Sequence, residues 1–132
     1  MADERLLQSA IVGCLLGGAV GDALGLPREG LSPARAKVLF GVPDQHRLIL
    51  GKGMLSDDTE HACFVAQALI ESRGDPAVFE RRLAWSLRRW LLSLPAGTGM
   101  ATLIACFKLC LGFPAARSGV NSAGNGPAMR SP

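Results

Sequence analysis

Three carboxylates and two hydroxyls occupy five consecutive positions, Ser56 to Glu60, and form the stretch of this sequence best suited to chemistry. The preceding residues, 51–54, include two glycines and show no periodicity, whereas apolar residues recur at helical spacing after His61. The polar stretch therefore lies where a loop becomes a helix. Its oxygen donors suit hard cations such as Mg²⁺, Mn²⁺ or Ca²⁺. They equally suit an ordinary helix start, at which a hydroxyl caps the first turn and acids complement the helix dipole.

Taken alone, Ser56, Asp57 and Asp58 favour the capped helix over a metal site. Adjacent side chains on a regular helix point about 100° apart, so two neighbouring carboxylates rarely reach one ion from mid-helix. At a helix start, the residue before the helix still has loop geometry, and a hydroxyl and two carboxylates can converge. His61, one turn after Asp57, is either a further ligand or, more ordinarily, a histidine on the helix surface. Both interpretations of the stretch stay open at this point.

A first helix is expected from residue 2 or 3 to about residue 24, with a glycine at every fourth position. One ridge of this helix has no side chains, so another backbone can approach it closely. Each interior glycine costs about 1 kcal/mol relative to alanine, and close packing of a buried helix is expected to offset that cost. The glycines of this ridge are Gly13, Gly17, Gly21 and Gly25.

Asp22 is the only charge in the apolar part of the first helix. It is either a buried hydrogen-bonding hub or part of a site, and the helix alone does not decide between these roles. Asp22 also interrupts the run that a membrane span would need, and Asp3 and Glu4 are unlike the positive start of a signal peptide. Neither export nor contact with a membrane is therefore expected.

The rest of the sequence predicts helices and shows no β periodicity. Ser32-Pro33 and Asp75-Pro76 are caps followed by proline at the first helical position, and Thr98 is placed to cap another helix. The fold is therefore expected to be all-α, a compact multi-helix bundle. Because another helix is predicted to open near Pro127 as the sequence stops, residues 1–132 are expected to be the N-terminal portion of a single, truncated domain. The helices after the first are expected over 33–40, 57–72, 76 to before 95, and 98–111.

Composition narrows the classes of function. Apolar residues make up 48% and charged residues 19%, with a net charge of +3 and no tyrosine, which indicates a globular protein without a nucleic-acid footprint. The four cysteines lie in apolar helical patterns, which predicts buried, reduced thiols and a cytoplasmic location. A zinc site is not expected, because no two further ligands accompany the cysteines at positions 106 and 110.

Two glycine-rich segments, 97–99 and 119–126, each precede a predicted helix. Backbone N–H groups at such a position can face an anion such as a diphosphate. Neither segment fits a P-loop or a dinucleotide-binding fingerprint. As isolated motifs, both are better read as ordinary loops.

Three motifs in this order change that reading: Gly13 to Gly25 (GCLLGGAVGDALG), Ser56-Asp57-Asp58-Thr59, and Ser122 to Arg130 (SAGNGPAMR). Together they resemble the N-terminal half of the ADP-ribosylglycohydrolase family, of the dinitrogenase-reductase-activating glycohydrolase type. The resemblance implies an all-helical fold and a two-metal centre of Mg²⁺ or Mn²⁺. It also implies hydrolysis of the bond between ADP-ribose and a modified protein side chain, arginine being favoured, or hydrolysis of a small ADP-ribose compound.

The resemblance also implies roles for individual residues. Ser56, Asp57 and Asp58 match the family's first metal-ligand triplet, usually Thr-Asp-Asp, and serine keeps the hydroxyl oxygen. Glu29 corresponds to a catalytic acid near the scissile bond, and Asp22 to an internal support of the site. The loops that hold the diphosphate and ribose correspond to Gly97, Thr98, Gly99, Ser122, Gly124, Asn125, Gly126 and Met129.

One departure from the family is large, because the second metal-ligand motif, of the Asp-x-Asp-Thr kind, does not occur after Asp75. Half of a shared two-metal site should bind metal weakly. The chain alone is thus expected to be inactive or nearly so, with a complementing C-terminal half as a possible partner. Two other functions remain open: a non-catalytic ADP-ribose-binding fragment, and a helical interaction protein whose glycine ridge packs on a partner.

Overall fold

Helices dominate the described chain, and no β-strand occurs in it. The computed structural model describes residues 2–48, 50–95 and 98–122. Within these residues, α-helices α1 to α6 follow one another, and a 3₁₀ turn at Leu26–Arg28 comes directly after α1. The predicted all-α fold is confirmed. The helix bounds are Ala2–Gly25, Pro33–Phe40, Asp57–Ser72, Pro76–Leu92, Met100–Cys110 and Ala115–Ser118.

Local capping explains why α2 and α4 begin where the sequence predicts. The Ser32 hydroxyl accepts from the Arg35 amide at 3.4 Å, and Pro33 occupies the first helical position of α2. The Asp75 carboxylate accepts from the amides of Ala77 and Val78 at 2.8 and 3.2 Å. Each cap satisfies N–H groups that have no partner within the helix. Short-range chemistry therefore sets these two boundaries.

The start of α5 differs from its prediction. Its N-cap is Gly99, without a side-chain cap, and Thr98 Oγ1 donates instead to the Pro95 carbonyl at 3.3 Å. The short helix α6 was not predicted, because four residues are too few to show a period. The helix expected near Pro127 lies outside the described residues.

The described residues fall into two compact units, one up to Thr59 and the other from Glu60 onward. In the first unit, Ala23 is the one buried residue among those described. In the second, α4 packs against α5, and α6 contacts both. The Arg88 Nε donates to the Leu109 carbonyl at 2.7 Å and ties α4 to the end of α5. The buried residues of this second unit are His61, Ala68, Ser72, Ala84, Trp90, Cys106, Leu109 and Ser118.

The prediction that α1 is buried is wrong for the described chain. Six of its eight large apolar side chains are about half exposed or more, the exceptions being Leu15 and Leu24. No atom of another element lies within 4 Å of where a Cβ would stand on the four glycines of the ridge. The physical reason is that, apart from the loop that contacts Ala23 near the end of α1, no described element packs along this helix. By length and composition alone, residues 3–28 could also cross a membrane, with a mean hydropathy of 1.6. Core helices and signal sequences share those properties.

The cysteine prediction is correct for one residue in four. Cys106 is buried, whereas Cys14, Cys63 and Cys110 are exposed. All four lie in the described residues, and none of them forms a disulfide. Apolar helical neighbours predict burial only where another element covers that face of the helix. Of the four cysteines, only Cys106 lies on a covered face.

Candidate functional site

Asp22 joins the end of α1 to the beginning of α3. Its Oδ2 accepts from the Ser56 amide at 2.8 Å and from the Thr59 hydroxyl in a short hydrogen bond. The donors lie 34 and 37 residues further along the chain, so tertiary structure makes this connection. Both bonds carry charge on the acceptor, which makes them stronger than neutral ones. The carboxylate thereby fixes the residues that begin α3.

Ser56 caps α3 in the way that the simpler reading of the sequence expects. Its hydroxyl accepts from the Asp58 amide at 3.2 Å, while its own amide is held by Asp22. A hydroxyl oxygen has two lone pairs, so one acceptor position stays available when the cap is made. Capping and metal ligation by Ser56 are therefore compatible, and the cap does not test the predicted ligand role.

Glu29 lies within electrostatic reach of the acids at the start of α3. Partial desolvation raises the pKa of its carboxyl group, and the negative charges of Asp58, Asp22 and Asp57 raise that pKa further, in that order. We call Asp22, Glu29, Asp57 and Asp58 the acidic cluster. Its members come from the end of α1, the turn after it and the start of α3. The fold thus brings the carboxylates of Asp57 and Asp58 within electrostatic range of Glu29, which lies 28 and 29 residues earlier in the chain.

The loop before α3 is placed by a close contact with α1. A Cβ on Gly53 would stand 2.6 Å from His46 Nδ1 and 3.0 Å from the Ala23 Cβ. Glycine avoids this crowding, whereas a larger residue would require the His46 ring to shift and would press against Ala23. His46 is exposed and covers this glycine. The contact brings the loop against the buried Ala23, one residue after Asp22.

Arg28 is a structural contributor that the sequence reasoning missed. Its guanidinium donates to the Leu24 carbonyl at 2.5 Å and to the carbonyls of Phe40 and Val42 at 3.3 Å each. It also lies over the Phe40 ring, 5.5 Å from the centroid. Arg28 therefore holds α2 to the turn that carries Glu29. The available signal for Arg28 was its position directly before the predicted catalytic acid. Thr59, whose hydroxyl bonds to Asp22, was also missed, and its signal was its position directly after the predicted ligands.

The described residues supply few ligands for the predicted metal site. In the residues that the structure describes, no three His, Cys, Asp or Glu side chains are grouped so as to hold a metal ion. Ser56 would add a hydroxyl oxygen to the carboxylates of Asp57 and Asp58. Six or more oxygen ligands are usual for Mg²⁺ or Ca²⁺, with water making up the deficit. Ligation by Ser56, Asp57 and Asp58 stays a prediction.

His61 is not the surface histidine that was expected. It is 1% exposed and meets the Trp90 ring edge-on, with the centroids 4.3 Å apart. The Trp90 Nε1 in turn donates to Glu60 Oε2 at 2.6 Å. Amphipathic spacing could have suggested this, because Phe64 and Ala68 follow on the same helical face. His61 and Glu60 thus contribute to the packing of the second unit.

The predicted substrate-binding residues are described only in part. Thr98 is half-buried, Gly99 precedes α5, and Ser122 is exposed; all three belong to the second unit. Gly97, Gly124, Asn125, Gly126 and Met129 lie outside the described residues. Their role with ADP-ribose stays a prediction.

A groove of about 480 Å³ lies between α3 and α4 in the second unit. It contains no residue of the predicted site. The Arg82 Nε contacts Glu71 Oε2 at 3.0 Å across its wall, and the two charges largely balance. The lining residues are Phe64, Gln67, Glu71, Arg82, Trp85, Ser86, Arg89 and Trp90.

Comparison with known proteins identifies the family. The sequence profile of the family described as ADP-ribosylglycohydrolase matches residues 3–132. An uncharacterized protein of Archaeoglobus fulgidus is 37% identical over 124 residues, covering 89% of this chain and 39% of that protein. The uncharacterized protein YegU of Escherichia coli K12 is 33% identical over 142 residues, covering 98% of this chain and 41% of YegU. The chain thus spans about two fifths of the length of these relatives. Because the profile covers almost all of its residues, the chain belongs to the ADP-ribosylglycohydrolase family.

Proposed function

We propose that this chain supplies one part of a metal-dependent ADP-ribosylglycohydrolase site, with Ser56, Asp57 and Asp58 as ligands of Mg²⁺ or Mn²⁺. The observation that carries the proposal is the acidic cluster. Partial burial raises the pKa of the Glu29 carboxyl group, and the negative charges of Asp58, Asp22 and Asp57 raise it further. A divalent cation bound among these acids would offset that repulsion.

The chemistry of the donors fits these metals. Every polar side-chain atom of the cluster is oxygen, which Mg²⁺ and Mn²⁺ prefer over nitrogen or sulfur. Asp57 and Asp58 are half-buried at a helix start, where the side chains are better ordered than on a free loop. Asp22 acts behind them, since its carboxylate holds the Ser56 amide and the Thr59 hydroxyl. This support orients Ser56 for the proposed ligand role.

Glu29 is proposed to orient water or substrate at the scissile bond. A carboxyl group with a raised pKa keeps its proton to higher pH than an ordinary glutamate, which suits exchange of a proton with a sugar oxygen or water. A bound cation would supply Lewis-acid polarisation and a more acidic water molecule. The bond proposed to break joins ADP-ribose to a protein side chain, with arginine favoured, or to a small leaving group.

The ligand count supports a further part of the proposal, that residues 1–132 alone are weakly active or inactive. One hydroxyl and two carboxylates leave a divalent cation largely hydrated, and such sites bind weakly. The remaining ligands would come from a segment equivalent to the unmatched part of the longer relatives. Thr98, Gly99 and the 122–129 segment are proposed to contact the diphosphate and ribose.

The test joins the 132-residue chain covalently to the unmatched C-terminal part of the Archaeoglobus fulgidus relative. We expect release of ADP-ribose from an ADP-ribosylated arginine peptide by this fusion with Mg²⁺, and little or none by the chain alone. Asp57→Ala should lower the rate at least about tenfold, whereas Asp44→Ala, an acid of the same unit outside the cluster, should leave it unchanged.

Three results would contradict the proposal. A fusion that releases no ADP-ribose would contradict the hydrolase assignment. Release that persists after chelation would contradict the proposed metal dependence. Equal rates for the chain and the fusion would show that the site is complete without the second segment. Calorimetry of the fusion with ADP-ribose identifies the alternative function. A non-catalytic ADP-ribose-binding protein would bind ADP-ribose in calorimetry but release none from the peptide.

A further inference from the structure

Over residues 10–21, the surface of α1 is apolar on every side. Its exposed large side chains are spread around the helix axis, since consecutive residues are rotated by about 100°. A helix that is apolar all round normally lies in the interior of a larger protein or in a bilayer. Large contiguous apolar patches are rare on monomeric soluble proteins and mark interaction surfaces. The exposed apolar residues are Leu6, Leu7, Ile11, Val12, Leu16 and Val20.

The glycine ridge of α1 is open along the same helix. At Gly13, Gly17 and Gly21, a Cβ would meet nothing within 4 Å in the described structure. These positions admit the backbone of another helix at short distance, which gives extensive dispersion contact. The ridge alone would not identify a partner. Together with the apolar side chains, it makes α1 a largely uncovered packing surface over residues 6–21.

The length of the relatives indicates what covers this surface. The chain matches 39% and 41% of two proteins, so about three fifths of each has no counterpart in residues 1–132. We propose that α1 is the docking surface for a helical segment equivalent to that unmatched part, whose backbone packs along Gly13, Gly17 and Gly21. The inference rests on the proposed function, because the same segment would bring the remaining oxygen ligands to the site.

The position of Asp22 connects the docking surface with the acidic cluster. It lies one residue beyond Gly21 and holds the start of α3 through Ser56 and Thr59. A segment packed along α1 therefore ends its contact beside the proposed metal ligands. A bilayer fits less well, because this end of α1 is bonded to a polar loop and carries a carboxylate.

The experiment uses the 132-residue chain and the unmatched part of the Archaeoglobus fulgidus relative as separate, purified polypeptides. We expect a 1:1 complex in analytical ultracentrifugation. Gly17→Leu, which fills the ridge, and Leu16→Asp, which charges the apolar surface, should each weaken it at least about tenfold. Val38→Asp is the matched control, since Val38 is 84% exposed on α2, and it should change affinity less than twofold. Circular dichroism verifies that each variant keeps its helix content.

Several outcomes would overturn the inference: no complex, a complex that the α1 variants leave unchanged, a homodimer of the chain that these variants abolish, or insertion of the chain into phosphatidylcholine vesicles. Failure of docking is distinguishable from failure of the proposed function. The complex is detected without turnover, and the covalent fusion measures turnover without depending on affinity. A complex lost in Gly17→Leu would support docking even if the fusion released no ADP-ribose.

Discussion

The two units of this chain differ in what holds them together. From Glu60 onward, buried side chains such as Trp90, Cys106 and Leu109 form a small core between helices. Up to Thr59, only Ala23 is buried among the described residues, and order comes from polar contacts of Asp22 and Arg28. A few hydrogen bonds contribute much less stability than an apolar core. The difference teaches that the first unit has the chemistry of a site but little of the packing that would stabilise it.

The largest expected effect tests the core of the second unit. Trp90 is 4% exposed, contacts His61 edge-on and donates to Glu60, so Trp90→Ala should destabilise the chain by about 3–5 kcal/mol. Trp85, 54% exposed on the same helix, is the control, and its replacement by alanine should cost less than about 1 kcal/mol. Urea denaturation measures both. Equal losses would mean that Trp90 is not a core residue.

The same substitution in each unit compares them directly. Leu109 is 3% exposed and Leu16 is 62% exposed. Leu109→Ala should cost about 2–4 kcal/mol, since it leaves a cavity in the second unit. Leu16→Ala should change stability by no more than about 0.5 kcal/mol in the chain alone. A large loss for Leu16→Ala would show that α1 is already covered in solution, for example by a second copy.

The polar contacts of the first unit are tested at Asp22. Asp22→Ala leaves the Ser56 amide and the Thr59 hydroxyl without their acceptor, which should cost about 1–3 kcal/mol. Hydrogen exchange of the Ser56 amide should accelerate accordingly. Asp22→Asn keeps one acceptor oxygen and should lose less. Unchanged exchange in both variants would remove Asp22 from its supporting role.

The smallest effect concerns the charge of Glu29. Its pKa in the folded chain is raised above the ordinary value of 4.5, so the folded state holds the proton more tightly. The contribution of Glu29 to stability is therefore greatest below pH 4.5 and is lost as the pH rises through the folded-state pKa. Glu29→Gln removes this loss and should raise the melting temperature by about 1 °C at neutral pH, with no difference near pH 4.

Two comparisons make the Glu29 measurement decisive. Glu80→Gln, at an exposed acid of α4, should show no such pH dependence. Added salt should shrink the Glu29 effect, because the carboxyl group is exposed and the repulsion is screened. A destabilised Glu29→Gln at neutral pH would contradict repulsion within the acidic cluster.

Much of the secondary structure followed from the sequence because its causes are local. Ser32, Asp75 and the prolines after them determine where α2 and α4 begin, and each acts within three residues. The ordered motifs likewise pointed to the family that the profile match establishes. Burial was less predictable. Apolar periodicity marks a face that can be covered, but it does not say whether an element covers that face, as α1 and Cys14 show.

By itself, the sequence determined the all-α fold, most helix boundaries, the family and the acids at the start of α3. Tertiary structure alone decided that Asp22 holds that helix start, that Glu29 joins the same acidic cluster, and that His61 is buried against Trp90. Caps and helical periods act over one turn of chain. The cluster instead depends on a contact that spans 34 residues, made possible where Gly53 lets the loop approach Ala23. No local sequence pattern predicts a contact between residues so far apart along the chain.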